Sequence, residues 1–172
     1  MKTGNLKIHT ITWLLGATML FLLPVVFPGL LMAQVNPPRP VDLVASSLQS
    51  LNFGIFSITG SNGGTVTVSN TGIRNSTGDI FLTGNAHTYG IFTIDVITGT
   101  SLYLMNGPTA ILSGSNGGQM TMNLGQTYPG FPYTTISSST VFQIGATLIV
   151  GPINDNPPGD YYGTYEIIIN HQ

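Results

Sequence analysis

No stretch of the chain after Gln34 places apolar residues at the i, i+3, i+4, i+7 spacing of an amphipathic helix. The residues there are mainly Thr, Ser, Asn, Gly, Ile, Val, Tyr and Phe, which favour strands and turns. Short runs of alternating apolar and polar residues are separated by glycine and asparagine. The sequence therefore predicts an all-β chain with almost no helix, in which residues 51–172 form an antiparallel β-sandwich of about nine strands.

The amino-terminal residues have the layout of a secretory signal peptide. Lys2 and Lys7 precede an apolar run that begins at Ile11, and a Leu-Met-Ala triplet ends at Ala33. We therefore predict cleavage after Ala33 and removal of residues 1–33. The rest of the chain is then expected in the periplasm, at the cell surface or in the medium.

An uncleaved membrane anchor is the alternative interpretation of this leader. Residues 13–32 make a run of 20, about the length that spans a bilayer. Pro24 and Pro28 disfavour a continuous helix across that run. Both interpretations place the remaining residues outside the cytoplasm.

The segment after residue 33 is weakly charged and contains no cysteine. Its two arginines, Arg39 and Arg74, are outnumbered by six carboxylates, so its net charge is −4. Nucleic-acid binding requires a positive surface, and we exclude that class of partner. Without cysteine, neither a disulfide framework nor a thiolate metal site is possible. The 139 residues suffice for one core without such links.

Residues 34–50 are predicted to form an extended amino-terminal arm or an edge strand. Pro37, Pro38 and Pro40 keep its first part extended and remove the amide donors that a central strand needs. The apolar side chains of this segment are Val41, Leu43, Val44 and Leu48.

The five-residue sequence Gly-Ser-Asn-Gly-Gly occurs twice, at residues 60–64 and 114–118. Glycine and asparagine reverse the chain at low cost, so each copy is predicted to join the strands of a hairpin. The first hairpin would pair residues 51–56 with 65–69, and the second would pair residues 109–113 with the strand of Met120 and Met122.

The final strand has the clearest alternation in the chain. Tyr165, Ile167 and Ile169 share one face of a strand predicted at residues 165–170. Residues 70–78 and 152–159 are turn-rich and are predicted to be loops. Further strands are predicted at residues 79–82, 90–94, 102–104, 140–144 and 146–150.

The residues that could carry catalysis are few and have no motif spacing. His87 and His171 are the histidines after the leader, and His171 is one residue from the end of the chain. The many serines include no G-x-S-x-G motif, which is the commonest signal of a nucleophilic serine. We therefore predict that the protein is not an enzyme and has no catalytic site.

Oxygen ligands for calcium are present at Asn154, Asp155, Asn156 and Asp160. Their spacing matches no complete EF-hand loop, and the same residue types are common in exposed turns. We therefore predict a plain turn there, with no metal site and no cofactor.

Three aromatic residues, Tyr128, Phe131 and Tyr133, lie among prolines and a glycine. In one interpretation they form a surface patch that stacks on sugars or on a partner protein. In the other, their rings close one end of the sandwich.

Four short motifs give the chain a family resemblance. They are Leu-Asn-Phe-Gly at residues 51–54, Gly-Gly-Thr-Val-Thr-Val at 63–68, Gly-Ala-Thr-Leu at 145–148 and Gly-Thr-Tyr at 163–165. In their order and spacing they resemble the bacterial family of the domain of unknown function 4402. That family is in turn distantly similar to spore-coat-protein-U-like and archaic chaperone-usher pilin domains, which are immunoglobulin-like sandwiches.

The resemblance implies a mode of assembly. In such pilins a missing strand leaves an apolar groove, which a chaperone fills first and the amino-terminal arm of the next subunit fills afterwards. The corresponding donor residues here would be Val41, Leu43 and Leu48. The strand beside the groove would carry Tyr165, Ile167 and Ile169.

Three functions remain open at this point. The leading one is an exported, non-enzymatic surface subunit of fimbrial type that associates with itself or with other surface subunits. The second is a carbohydrate-binding or adhesive β-sandwich module that takes a glycan. The third is a small outer-membrane β-barrel, although most predicted strands are shorter than the 9–11 residues or so that span a membrane.

Overall fold

The computed structural model describes residues 43–107 and 109–172. The predicted leader, its cleavage site and the first part of the predicted arm lie outside these residues. The described residues form thirteen strands and no helix, which confirms the all-β prediction. The strands are β1 (Val44–Gln49), β2 (Ile55–Ile58), β3 (Gly64–Val68), β4 (Arg74–Gly78), β5 (Ile80–Thr83), β6 (Gly90–Asp95), β7 (Ser101–Asn106), β8 (Ala110–Gly114), β9 (Gln119–Tyr128), β10 (Tyr133–Thr134), β11 (Ser139–Val150), β12 (Tyr161–Tyr162) and β13 (Ile167–His171).

The strand count exceeds the predicted number of about nine for a local reason. Strands β10 and β12 are only two residues long, too short for the alternation of side chains to reveal them. Strand β4 consists of Arg-Asn-Ser-Thr-Gly, a composition typical of turns. The prediction of a loop over residues 70–78 is therefore wrong for its second half.

The 12-residue strand β11 is the centre of the main sheet. Its first half pairs with β6 and its second half with β3, while β9 pairs along its other edge. The ladder with β9 is irregular between Ile144 and Ala146. There a Cβ atom on Gly145 would lie 2.5 Å from the carbonyl oxygen of Val68, so only glycine fits. The two strands predicted at 140–144 and 146–150 are thus one strand with an irregularity at this glycine.

The second layer consists of two smaller antiparallel sheets. Strands β2 and β5 form one of them, with Phe56 opposite Leu82. Strands β10, β7 and β13 form the other, with Ile169 opposite Leu104. The two layers enclose apolar side chains, as the prediction of a β-sandwich requires.

Buried apolar residues form two clusters between the layers. The first cluster consists of Phe53, Val66, Val68, Ile80, Ala110, Met120, Met122, Ala146, Leu148 and Val150. The second cluster consists of Phe92, Ile94, Val96, Leu102, Phe142 and Ile144. Phe142 is fully buried, and its ring stacks on Phe92 and Phe131 with centroids 5.4 and 4.9 Å apart.

The first predicted hairpin is wrong and the second is confirmed. Strand β2 pairs with β5 rather than with β3, so residues 60–64 carry the chain from one layer to the other. This loop is anchored to Asp79, whose carboxylate accepts a hydrogen bond from the Asn62 amide at 3.0 Å. Residues 114–118 do reverse the chain, and β8 pairs with β9.

The described part of the predicted arm lies at the edge of the main sheet. Strand β1 pairs with β6, and Val44 is opposite Asp95. Leu43 packs against the second cluster, and Val41 lies outside the described residues. At the other end of the chain, β13 begins at Ile167, two residues later than the predicted strand.

Candidate functional site

An open cleft of about 1230 Å³ lies against the main sheet. Its floor consists of apolar side chains from four strands of that sheet: Phe92, Leu112, Met120, Met122 and Leu148. One wall is β2 with the residues before it, and the other is the chain from Asn156 to Ile169, which includes the inward residues of β13. The cleft therefore occupies a gap in the second layer.

The edge of β13 that borders the cleft has unpaired main-chain groups. Strand β13 pairs with β7 alone among the described strands. Gln172 and Ser101 exchange two main-chain hydrogen bonds, of 2.9 and 3.0 Å, so they form a hydrogen-bonded pair. Because such pairs alternate along an antiparallel ladder, Ile168 and Asn170 also point their amides at β7. The amides and carbonyls of Ile167 and Ile169 consequently point to the open edge.

The same argument applies to β2 on the other wall. In the described chain β2 pairs only with β5. The Thr59 amide donates to the Asp79 carbonyl oxygen at 2.8 Å, which continues the ladder of β2 and β5 by one pair. By alternation, Phe56 and Ile58 direct their main-chain groups away from β5. Both walls thus present unpaired donors and acceptors beside apolar side chains.

The inner face of β1 extends the cleft to the edge of the main sheet. Ala45 and Ser47 are opposite Ile94 and Phe92 in the ladder with β6, so their side chains point to the same side as those core residues. Both are exposed and both line the cleft. The second layer therefore does not cover β1, and its small side chains leave room for a further strand.

The part of the cleft lined by Pro157, Pro158, Asp160, Tyr161 and Tyr162 is called here the tyrosine end. Tyr161 is held in place because its hydroxyl donates to the Pro157 carbonyl oxygen at 2.8 Å. Burial raises the pKa of Tyr165 above its ordinary value. Asp160 is the one charged side chain among the described residues of the lining.

Asn156 fixes the loop that carries the tyrosine end. Its side chain is only 3% exposed. Its Nδ2 donates to the carbonyl oxygens of Gln119 at 2.8 Å and Asp155 at 3.0 Å, and its Oδ1 accepts from the Gly151 amide. Since both ends of the amide are satisfied, this side chain holds the loop against β9 and is not free to bind a ligand.

Arg74 connects strand β4 to the small sheet of β2 and β5. Its guanidinium donates to the carbonyl oxygens of Ile55, Thr83 and Gly84. Burial lowers its pKa from the ordinary value. The positive charge of Arg74 is therefore used inside the fold.

The structure brings together only some of the residues singled out in the sequence. Tyr165, Ile167 and Ile169 line the cleft. Leu48 lies in β1, where it is exposed, and Leu43 contacts the second cluster of its own domain.

The predicted aromatic patch is divided between the surface and the core. Phe131 and Tyr133 pack against Phe142, with ring centroids 4.9 and 5.4 Å from it. Tyr128 is 66% exposed and pairs with Gln143 between β9 and β11. The three rings therefore do not form one exposed surface.

The polar residues considered for chemistry are dispersed. The Nε2 of His87 donates to the Gly72 carbonyl oxygen at 3.0 Å, and His171 is exposed at the end of β13. Within residues 43–107 and 109–172, no three His, Asp or Glu side chains come together as a metal site. The described residues include no membrane-spanning helix.

The resemblance implied a groove beside the last strand, but sequence reasoning missed its floor and its other wall, together with the structural roles of Asn156 and Arg74. The lining comes from segments between Ala45 and Ile169, and no local pattern marks residues so far apart. One signal was available: Arg74 is one of only two arginines after the leader, and a guanidinium carries five N–H donors that can bind several main-chain carbonyl oxygens.

One of the comparisons with known proteins gives a match. A family model described as "Domain of unknown function (DUF4402)" matches residues 43–171, which include all thirteen strands. No curated protein and no solved structure gives a significant match.

Proposed function

The chain belongs to the family of the domain of unknown function DUF4402, and we propose that it is an exported, non-enzymatic surface subunit that assembles by strand complementation. In this proposal the cleft between β2 and β13 accepts an extended segment of another copy. The family match confirms the resemblance to the DUF4402 family alone, and the assembly is the inference added here.

The observation that carries the proposal is the open edge of β13. The main-chain groups of Ile167 and Ile169 point into the gap, and the side chains of the same residues line it. A strand that adds to a free sheet edge gains main-chain hydrogen bonds, and pockets beside the edge accept its alternate side chains. The cleft offers both features in one place.

The apolar floor supports the same function. Leu112, Met120 and Met122 line a gap in the second layer rather than a closed interior. A strand that fills the gap removes apolar surface from water, which stabilises the complex by about 25 cal/mol per Å². An exposed edge of this kind is otherwise an aggregation hazard, which favours a cleft that is occupied in the assembled state.

Export is part of the proposal and rests on the leader of residues 1–33. The cysteine-free, weakly charged domain is compatible with an extracellular structural role. The proposal of a non-enzymatic role is supported by the finding that no three His, Asp or Glu side chains of the described residues come together.

A matched pair of variants on β1 tests the proposal. Ala45 is exposed and lines the cleft, whereas its neighbour Val44 is exposed on the opposite side of the strand. Ala45→Trp fills the cleft without disturbing a buried residue, and Val44→Trp adds the same ring outside it. The protein is expressed with its own leader, purified after export and analysed by native mass spectrometry.

We expect the parent protein and Val44→Trp to form oligomers, and Ala45→Trp to be mainly monomeric with an unchanged thermal transition. A parent protein that stays monomeric at high concentration contradicts the proposal. Oligomers that persist in Ala45→Trp contradict the cleft as the site of assembly.

A further inference from the structure

The two arginines that follow the leader have different roles. Arg74 is used inside the fold, where it donates to three main-chain carbonyl oxygens. Arg39 belongs to the sequence Val-Asn-Pro-Pro-Arg-Pro-Val at residues 35–41, which lies outside the described residues. Arg39 is therefore the basic group of this segment that remains for binding an acidic partner.

The sequence of residues 35–41 does not suit a strand in the cleft. In a strand that lies between two others, alternate residues direct their amides to opposite neighbours. Because Pro37 and Pro38 are adjacent, one amide donor is missing on each side. Pro40 removes a further amide. Proline-rich segments instead favour the polyproline II conformation, which binds in grooves lined by aromatic residues.

The tyrosine end of the cleft offers aromatic surface beside two prolines. Tyr161 and Tyr162 line the cleft together with Pro157 and Pro158, and because the two tyrosines are consecutive residues of β12, their rings leave the strand on opposite faces. Tyr162 is 73% exposed, and the Tyr161 ring is held by its hydrogen bond to Pro157. Asp160 lies next to these rings, and two hydrogen bonds between its main chain and Ser115 fix its position.

Chain connectivity excludes the arm of the same molecule as the occupant. Val44 is opposite Asp95, which is opposite Ser139 at the start of β11. Tyr161 is opposite Gly114 at the end of β8. Through the pairing of β8 with β9 and of β9 with β11, this position lies near the last residues of the 12-residue strand β11. The strand spans roughly 36–40 Å at about 3.3 Å per residue. The link from Pro40 to Leu43 is three residues and reaches about 11 Å at most.

We propose that residues 37–40 of a second copy bind at the tyrosine end in the polyproline II conformation, with Arg39 paired to Asp160. The inference rests on the proposed function, since it assigns an occupant to one end of the assembly cleft. The prolines lie against the exposed ring of Tyr162, and the guanidinium and carboxylate fix the register through a charge-assisted hydrogen bond. The remainder of the cleft, along β13, stays available for a strand.

Charge reversal tests this pairing. Arg39→Asp and Asp160→Arg each place like charges together, and the double variant restores an opposite pair. Asp155→Arg is the control, because Asp155 lies in the same loop but does not line the cleft. Self-association of the exported protein is measured by sedimentation equilibrium at low salt, where charge pairs are least screened.

We expect each single reversal to raise the dissociation constant on the order of tenfold, and the double variant to return within about threefold of the parent. Asp155→Arg should leave it unchanged. If the parent associates but the two reversals have no effect, or the double variant is not rescued, this inference is wrong while the proposed function stands. A parent protein that does not associate at all overturns both. Thermal melting of each variant verifies that it is folded.

Discussion

The guanidinium of Arg74 donates a hydrogen bond to the carbonyl oxygen of Ile55, the first residue of β2. The same group reaches Thr83 and Gly84 at the end of β5. Since β4 belongs to the main sheet, a single side chain ties that sheet to the small sheet that forms one wall of the cleft. The position of this wall therefore depends on a planar donor group that serves several acceptors.

Replacing Arg74 with methionine should destabilise the domain. The substitution keeps an unbranched side chain but leaves the three carbonyl oxygens without this donor. We expect a loss of about 1–2 kcal/mol in the free energy of unfolding, and a fall of roughly 4–8 °C in the melting temperature. Thermal unfolding monitored by circular dichroism measures both the melting temperature and the free energy of unfolding. The control Asn75→Ala, at the next and exposed position, should change stability by less than about 0.5 kcal/mol.

Removing the ring of Phe142 should cost more than any other single truncation in the second cluster. Phe142 is fully buried between Phe92 and Phe131. Phe142→Ala leaves a cavity, and we expect about 3–5 kcal/mol of destabilisation in urea unfolding. The adjacent Val141 is 51% exposed on the opposite face of β11. Val141→Ala should have little effect, and equal losses in the two variants would contradict the assigned faces of the strand.

The pattern of side chains predicted these faces well. Val66 and Val68 are fully buried and the threonines between and beside them point outward, as their alternation requires. The alternation predicts these faces because the residues of a strand themselves determine which of its two faces is apolar and buried.

The pairing partners of strands could not be predicted in the same way. Residues 60–64 and 114–118 have identical sequences, yet one crosses between layers and the other turns a hairpin. At Gly63, with φ of +72°, a Cβ atom would lie 2.2 Å from the Val150 carbonyl oxygen. The first loop is thus packed against a strand about 90 residues away. Such long-range contacts determine whether a turn joins two paired strands or connects the two layers. No local sequence pattern indicates them.

The candidate site was predicted in part. Tyr165, Ile167 and Ile169 were assigned to one face of the last strand, and all three line the cleft. The opposite wall and the floor come from other strands, so their position depends on the pairing that the sequence does not specify.

The stability of the domain should decline above pH 10, in part because of Tyr165. Burial raises the pKa of this phenol in the folded protein above its ordinary value of 10.0. A raised folded pKa means that the folded state holds the proton more tightly. The contribution of this proton binding to the free energy of unfolding is therefore complete below pH 10 and is lost as the pH rises beyond it.

The comparison of Tyr165→Phe with Tyr162→Phe isolates this contribution. Tyr165→Phe should show a smaller loss of melting temperature between pH 9 and 11 or so than the parent, because phenylalanine has no proton to lose. Tyr162 is mostly exposed, and Tyr162→Phe should follow the parent curve. Parallel curves for all three proteins would contradict the assignment to Tyr165.

The most direct test of the account is amide hydrogen exchange along β13, measured by NMR on monomeric Ala45→Trp and, after quenching and dissociation, on the assembled parent. The amides of Ile168 and Asn170 bond to β7 and should exchange slowly in both. Those of Ile167 and Ile169 face the open edge and should exchange fast in the monomer but become protected on assembly. Fast exchange at Ile167 and Ile169 in the assembled protein would contradict a strand in the cleft.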